Sequence, residues 1–311
     1  MKLEDANEII NCLPKGETPF WYFRDRYAVL LLSMLGTSIT KRQLKGSPFA
    51  QLLDKAVVKS VLAEYRGRAV PREALEYAVA DSPETYSLTL TTWGGDRHNW
   101  VQTTRRGYSL VLQLNFPSEH DMAYRHLVDP GGRMPLVYYD HPVVESRRAT
   151  LAWARLDIDF EHNEVLIEEI QTDWMRKARA MRTYAKRARG KVVYFDGLRA
   201  DKTSVLRYCD EELSKHEHWD EAMLAAALWF LRRELGVRTV FYHTHESGAA
   251  LKRTGDRKPP RSLYTRLPRR FCFRETERRP TFMRGGIRTH CSKRAVEDAR
   301  FQLLELSGVG L

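Results

Sequence analysis

Two short stretches hold most of the side chains suited to acid–base chemistry. One is Glu168-Glu169-Ile170-Gln171-Thr172-Asp173-Trp174, and the other is Tyr242-His243-Thr244-His245-Glu246. If each closes a β-strand, period-two alternation puts Glu169, Gln171 and Asp173 on one face and sets His243 beside His245. Two carboxylates, an amide, two imidazoles and an indole then meet at one crevice. Histidine titrates near neutrality and a partly buried carboxyl is raised toward it, so this set suits general acid–base work. Two other readings stay open. Glu168 and Glu169 can straddle a sheet edge, with one bonded to an Arg of the basic helix; His243 and His245 can ligate a metal, with Asp173 or Glu246 as third ligand. His141, the pair His216 and His218, and His290 before Cys291 read as surface or packing residues. There is no G-x-S-x-G elbow, P-loop or G-x-G-x-x-G fingerprint to support a serine triad, nucleotide hydrolysis or a Rossmann cofactor.

The elements that would position these residues follow from hydrophobic periodicity. Residues 1 to 80 read as helical: an apolar segment runs from Phe20 to Leu35, a second is opened by Ser47-Pro48, and a third spans Arg72 to Ala80. This region suits a structural cap better than a helix-turn-helix module, since no recognition helix stands out. Strands are predicted at Tyr86 to Thr92, Tyr108 to Phe116, Ala149 to Phe160 and Glu164 to Thr172, the last two joined by a tight turn at Glu161-His162-Asn163. A basic helix follows over Met175 to Ala188, then a short strand at Val192 to Phe195. The next helix is predicted to be capped by Ser214 and Glu217 and to end at Gly236. A strand over Val237 to Thr244 completes a strand–helix–strand unit, which implies parallel pairing with Glu164 to Thr172. The expected class is therefore α+β or α/β: antiparallel strands leading into one parallel pair, flanked by helices. Ligands of such sheets bind beyond the carboxyl ends of the parallel strands.

Charge is unevenly placed. The 311 residues carry 51 Lys and Arg against 40 Asp and Glu, a net +11. Met175 to Lys191 contributes +8 and Leu251 to Arg294 contributes +12, leaving −9 for the remainder. Two basic blocks beside an acidic remainder imply either solvated surfaces or a face for phosphates, with residues 175–191 and 251–294 as the nucleic-acid-binding candidates. Phe271, Phe273 and Phe282 lie among arginines in the second block, as stacking platforms or as the inward face of a final strand. Cys12, Cys209, Cys272 and Cys291 show no paired spacing and read as reduced thiols. No apolar run is long enough to span a membrane, so no membrane partner is expected, and the expected compartment is the cytoplasm.

Ile167 to Trp174, the His218-Trp219-Asp220-Glu221 helix start and Val240 to Glu246 together resemble uncharacterised E-[IV]-Q-S-D-W domains of large polyvalent proteins from phages and mobile elements. The resemblance covers residues 150 to 255. His-Thr-His-Glu stands where those domains usually carry a Thr-Thr-Gly-like turn. More distantly, the order of elements is similar to the GNAT N-acyltransferase superfamily. That resemblance implies a GNAT-like domain over residues 81–311, with a basic insertion at 175–217 and a basic C-terminal segment. It further implies acyl transfer to an acceptor amine, or a catalytically degenerate relative of such an enzyme. Acetyl-CoA or another acyl-CoA would be the donor. Glu169, Asp173 or His243 would be the base and Tyr264 the acid, with the coenzyme pyrophosphate at the start of the central helix and Lys177, Arg179, Arg182 and Arg187 holding phosphates. The chain lacks the R/Q-x-x-G-x-G/A stretch of that superfamily and has Met175 to His218, including the basic helix, in its place.

Overall fold

The computed structural model describes residues 1–12, 18–79, 82–95, 102–132, 134, 136–144, 148–252, 259–283 and 293–306. The chain opens with α1 (Leu3–Cys12), β1 (Thr18–Tyr22), α2 (Arg26–Met34), β2 (Ser38–Ile39), α3 (Lys41–Lys45), α4 (Ala56–Glu64), β3 (Val70–Pro71) and α5 (Arg72–Glu76). The middle comprises β4 (Glu84–Gly95), β5 (Gly107–Asn115), α6 (Ser118–Leu127), β6 (Thr150–Asp159), β7 (Glu164–Gln171) and α7 (Trp174–Arg187). Then come β8 (Val192–Phe195), β9 (Leu198–Asp201), α8 (Lys202–Lys215), α9 (Trp219–Arg233), β10 (Thr239–His243) and α10 (His245–Leu251). The last described elements are α11 (Arg266–Arg270), β11 (Arg274–Thr276), α12 (Lys293–Glu297) and β12 (Phe301–Glu305).

One eight-stranded sheet, in the order β1-β4-β5-β6-β7-β10-β12-β11, organises the fold. Every neighbouring pair is antiparallel except β7 with β10, which run parallel from Glu164↔Thr239 to Ile167↔Tyr242. The expected mixed sheet is present. Its two faces differ chemically. Ala152, Ala154, Leu156, Val165, Ile167, Val240 and Tyr242 lie on the face covered by α9, where they join the main core. The other face carries Trp153, Arg155 and Asp157 of β6 and Glu169 and Gln171 of β7, as the alternation along each strand requires.

Helix α9 is buried almost all round, from Trp219 through Ala222–Leu228 to Leu231, because it lies between the sheet and α2. Its alanines let the backbone approach both layers. Helix α7 is instead amphipathic: Trp174, Met175, Ala178, Met181 and Ala185 face inward and the Lys and Arg side chains face out.

Several expectations are corrected. The apolar segment from Phe20 is not one helix: Phe20 and Tyr22 alternate inward on β1, which pairs with β4, and α2 starts only at Arg26. Residues 1 to 80 therefore supply a strand of the main sheet as well as helices. Ser214 caps nothing, since it lies inside α8, a helix the sequence patterns did not reveal; His218 is the N-cap residue of α9, without a side-chain bond. The strand at Val192 pairs with β9 in a separate two-stranded sheet. Phe271 and Phe273 form no strand. They follow α11 in a turn where Cys272 adopts φ 65°, and Phe271 stacks on Tyr27 with centroids 4.4 Å apart. The final strand is β12, inserted between β10 and β11.

Trp174 anchors this framework. Its Nε1–H donates to the Tyr208 hydroxyl of α8 at 2.8 Å, and Tyr208 donates to His120 Nε2 of α6 at 2.9 Å. His120 Nδ1–H is then directed at Asp121, 2.9 Å away. All three rings are buried, so removing the first donor leaves a dry hydroxyl under-satisfied. Trp174→Phe is expected to cost about 2–3 kcal/mol of stability, from the lost bond and the lost volume, measured as a lower urea midpoint with unchanged slope.

Candidate functional site

The carboxyl end of β7 is irregular, and that irregularity builds the site. Arg155 pairs with Glu169 but Leu156 pairs with Ile167, so Glu168 is the extra residue of a bulge. Beyond Ile167 and Tyr242 the two parallel strands part. The opened backbone is served by a side chain: Lys252 Nζ, from the residue after α10, donates to the Glu168 carbonyl at 2.8 Å. The same ammonium lies 3.4 Å from Glu169 Oε2 and 3.1 Å from the Tyr264 hydroxyl.

Around this junction charges are closely matched. Glu169 Oε2 accepts from Arg155 at 2.5 Å. Burial alone would raise the Glu169 pKa, but Arg155 and Lys252 outweigh it and hold the carboxyl below the ordinary range. A carboxylate so held is a poor proton acceptor near neutrality and a good electrostatic anchor. Its side chain is only 12% exposed.

Glu168 turns into a fully buried cluster with Thr104 and His243. The Thr104 backbone N–H donates to Oε1 at 2.9 Å and its hydroxyl to Oε2 at 2.8 Å, while His243 Nε2 lies 3.1 Å from Oε2. Burial opposes ionisation of Glu168, but the His243 bond and nearby cations hold its pKa at about 2. His243 is also pushed down by burial, so we assign a neutral imidazole donating Nε2–H to an ionised carboxylate. His243 and His245 do not sit side by side: Thr244 caps α10, and His245 turns away toward the Pro259 carbonyl and the Tyr264 ring. Glu246 is exposed, 3.6 Å from Arg261.

The open part of the polar face belongs to Asp173 and His141, a histidine whose sequence context suggests only a surface or packing role. Asp173 occupies the N-cap position of α7, and His141 Nδ1–H donates to its Oδ2 at 2.6 Å. Gln171 Nε2 donates to Asp173 Oδ1 at 3.3 Å, and Arg176 pairs with the same carboxylate. Burial would raise the Asp173 pKa; the His141 bond and Arg176 more than offset it. His141 is 27% exposed and edged by the rings of Tyr138, Trp153 and Trp93. With Nδ1 committed as donor, Nε2 carries the lone pair, and it has no hydrogen-bond partner among the described residues. A buried carboxylate orienting an accessible imidazole is the arrangement a general base requires.

Thus Glu169, Gln171 and Asp173 share one face, as alternation predicted, and Trp174 points away into the core. Tyr264 is buried with its hydroxyl on Lys252, and burial raises its pKa. Of the four phosphate-holding candidates, Arg179, Arg182 and Arg187 border one cleft and Lys177 stands apart. Lys177 pairs with Asp196 at 3.4 Å and Arg182 with Asp210 at 2.5 Å. Arg182 and Arg187 border a surface cleft, and Arg179 borders both this and a cavity of about 370 Å³ at the start of α9. Residues 253–258 and 284–292 of the second basic block lie outside the described residues. His141, Arg155, Lys252 and Thr104 were not anticipated. Arg155 left the clearest trace, as a charge inside an otherwise apolar strand.

Comparison of the chain with protein-family models, with curated proteins and with solved structures finds no match.

Two outcomes follow from these electrostatics. Glu169→Gln leaves Arg155 and Lys252 without their shared countercharge, and is expected to cost about 3 kcal/mol in urea unfolding. Stability should also fall with acid. His120 and His243 lie below the ordinary histidine value, so the unfolded chain binds more protons and stability declines as pH drops through 6.5. Glu168, and Glu212 of α8, whose carboxylate is bonded to His216 and Lys215, both at about 2, contribute stability that is present above pH 4.5 and lost below it. Unfolding free energies from urea titrations between pH 7 and pH 3 should decline throughout, by up to about 1.4 kcal/mol per pH unit for each proton taken up on unfolding.

Proposed function

We propose that this chain is a GNAT-like acyltransferase in which the Asp173–His141 pair, rather than Glu169, is the general base. The observation that carries the reading is the His141 imidazole, held by a buried carboxylate and open at Nε2 on the polar face of the sheet. The element order supports it: antiparallel strands β4 to β7, the long helix α9, β10 in parallel with β7, the short helix α10, then β11 and β12.

Residues at the start of α9 fit the phosphates of an acyl donor. Arg24, Lys55, Arg179, Arg266 and Arg270 all line the cavity there. Asp25 pairs with Lys55 and Glu221 with Arg270, which leaves Arg24, Arg179 and Arg266 without a carboxylate partner among the described residues. Glu217 and Asp220 also line the cavity; Asp220 accepts from the Glu221 N–H and Glu217 pairs with His218, so the three arginines carry the attraction for phosphate. Bound acyl-coenzyme A would supply the acyl group as a thioester.

The chain's own groups then divide the work. His141 Nε2 takes the proton of the acceptor amine, and Asp173 stabilises the imidazolium that results. Glu169, kept ionised by Arg155 and Lys252, holds the Lys252 ammonium in place beside Tyr264. The Tyr264 hydroxyl holds a proton for a leaving thiolate, and Lys252, 3.1 Å away, stabilises the phenolate left behind.

Calorimetric titration with acetyl-coenzyme A at two salt concentrations, with adenosine diphosphate as control, should give salt-tolerant binding that the control does not match. In an amine-acceptor screen, His141→Gln should then lower kcat about 10²–10⁴-fold with coenzyme affinity unchanged. Binding no better than the control, or full turnover by His141→Gln, would defeat the assignment.

A further inference from the structure

Apart from Arg176, which pairs with Asp173, and Arg179, which also borders the cavity at the start of α9, the outer face of α7 and the β8–β9 hairpin has no role in the site just described, and its chemistry is one-sided. Residues 174–202 contain ten Lys and Arg against two Asp. Both acids are engaged, Asp196 with Lys177 and Asp201 with the Ser204 backbone N–H at the start of α8. Arg179, Lys186, Arg187, Arg189, Lys191 and Arg199 have no carboxylate within ion-pair distance among the described residues. Packing does not explain them, since the inward stripe of α7 is apolar. Arg182 is held by Asp210 of α8, whereas Lys186, one helical turn on, has no such partner among the described residues and adds a like charge at a spacing that weakens a helix.

Two further features narrow the partner. Arg179, Arg182, Thr183, Lys186 and Arg187 form a concave cleft of about 380 Å³, so the cations converge rather than scatter. Exposed aromatic rings stand on the same helix–hairpin unit. Tyr184 is 50% exposed and touches Phe195, and Tyr194 is 61% exposed with Arg199 opposite it on β9. An acidic protein or a lipid headgroup would use the charge but has no need of exposed tyrosine faces. Unpaired bases need both, since they stack on aromatic rings while cations follow the phosphates.

We infer that the α7 and β8–β9 surface binds single-stranded nucleic acid, with the Arg179–Arg187 cleft on the phosphates and Tyr184 and Tyr194 stacking on bases. This surface shares Arg179 with the cavity at the start of α9, so the variants below are made at other residues. Binding of a labelled 20-nucleotide oligothymidylate, followed by fluorescence anisotropy across a salt series, tests it with the intact chain. Affinity should fall log-linearly with salt, with a slope no steeper than about −4 for six contacts. Lys186→Glu with Arg187→Glu should flatten that slope and weaken binding at least tenfold. Tyr184→Ala and Tyr194→Ala should each weaken single-strand binding about fivefold or more while leaving the slope unchanged. These side chains are exposed, so thermal unfolding of each variant should match the parent chain. Duplex binding as tight as single-strand binding, tyrosine variants that bind like the parent, or a preference for phosphatidylserine vesicles over the oligonucleotide would each overturn the proposal. So would an absence of binding.

Discussion

Beyond Ile167 and Tyr242 the parallel strands β7 and β10 no longer hydrogen-bond to each other, and the Lys252 ammonium takes the place of the missing backbone donor. Much of the polar architecture depends on that substitution. A buried ammonium is costly unless its charge is matched, which calls for Glu169; Glu169 in turn is shared with Arg155 across the β6–β7 pairing. The bulge that frees the Glu168 carbonyl also swings its side chain toward Thr104 and His243. One backbone irregularity thus commits several ionisable or polar groups on four separate segments. Partial removal is worse than either extreme, because each charge is buried on the assumption that the others are present.

The sheet separates two environments. On the α9 side, alanine and branched aliphatic residues give close, dry packing. On the other side the same strands present Arg155, Asp157, Glu169 and Gln171, and only part of that surface is covered. A pair such as Asp173 and His141 profits from lying at this boundary: the carboxylate is buried enough for its hydrogen bond to be strong, and the imidazole is open enough to exchange protons.

Much of this was legible in the residues, and what was missed has physical reasons. The alternation in Ala152-Trp153-Ala154-Arg155-Leu156-Asp157-Ile158-Asp159 announces a strand with one polar face, and β10 and its parallel partner follow from the apolar run before His243. The grouping of Glu169, Gln171 and Asp173 survived because the bulge falls just before them. His141 was not legible, since it reaches Asp173 from a loop 32 positions away and loop paths leave no periodic mark. Lys252 looked like one cation of a basic block; nothing local distinguishes a buried ammonium from a solvated one. His245 was misplaced because Thr244 is a good helix cap, a local preference that overrode strand continuation. In the same way Phe271-Cys272-Phe273 carries a strand-like alternation, yet the tight turn after α11 and the stacking on Tyr27 decide its conformation.

The strand order also constrains how the chain comes together in time. β10 has β7 on one side and β12 on the other, and among the described residues β11 pairs with β12 alone. During synthesis β10 therefore emerges with one edge exposed, and that edge stays open until residues 301–305 have left the ribosome. β11, although made earlier, has nothing to pair with before then. The polar cluster under His243 is thus sealed late, by a strand whose Gln302 donates to the His243 and Tyr264 carbonyls at 2.9 and 2.8 Å. Contacts of such long sequence separation form slowly, so assembly of this half of the sheet is paced by its last strand.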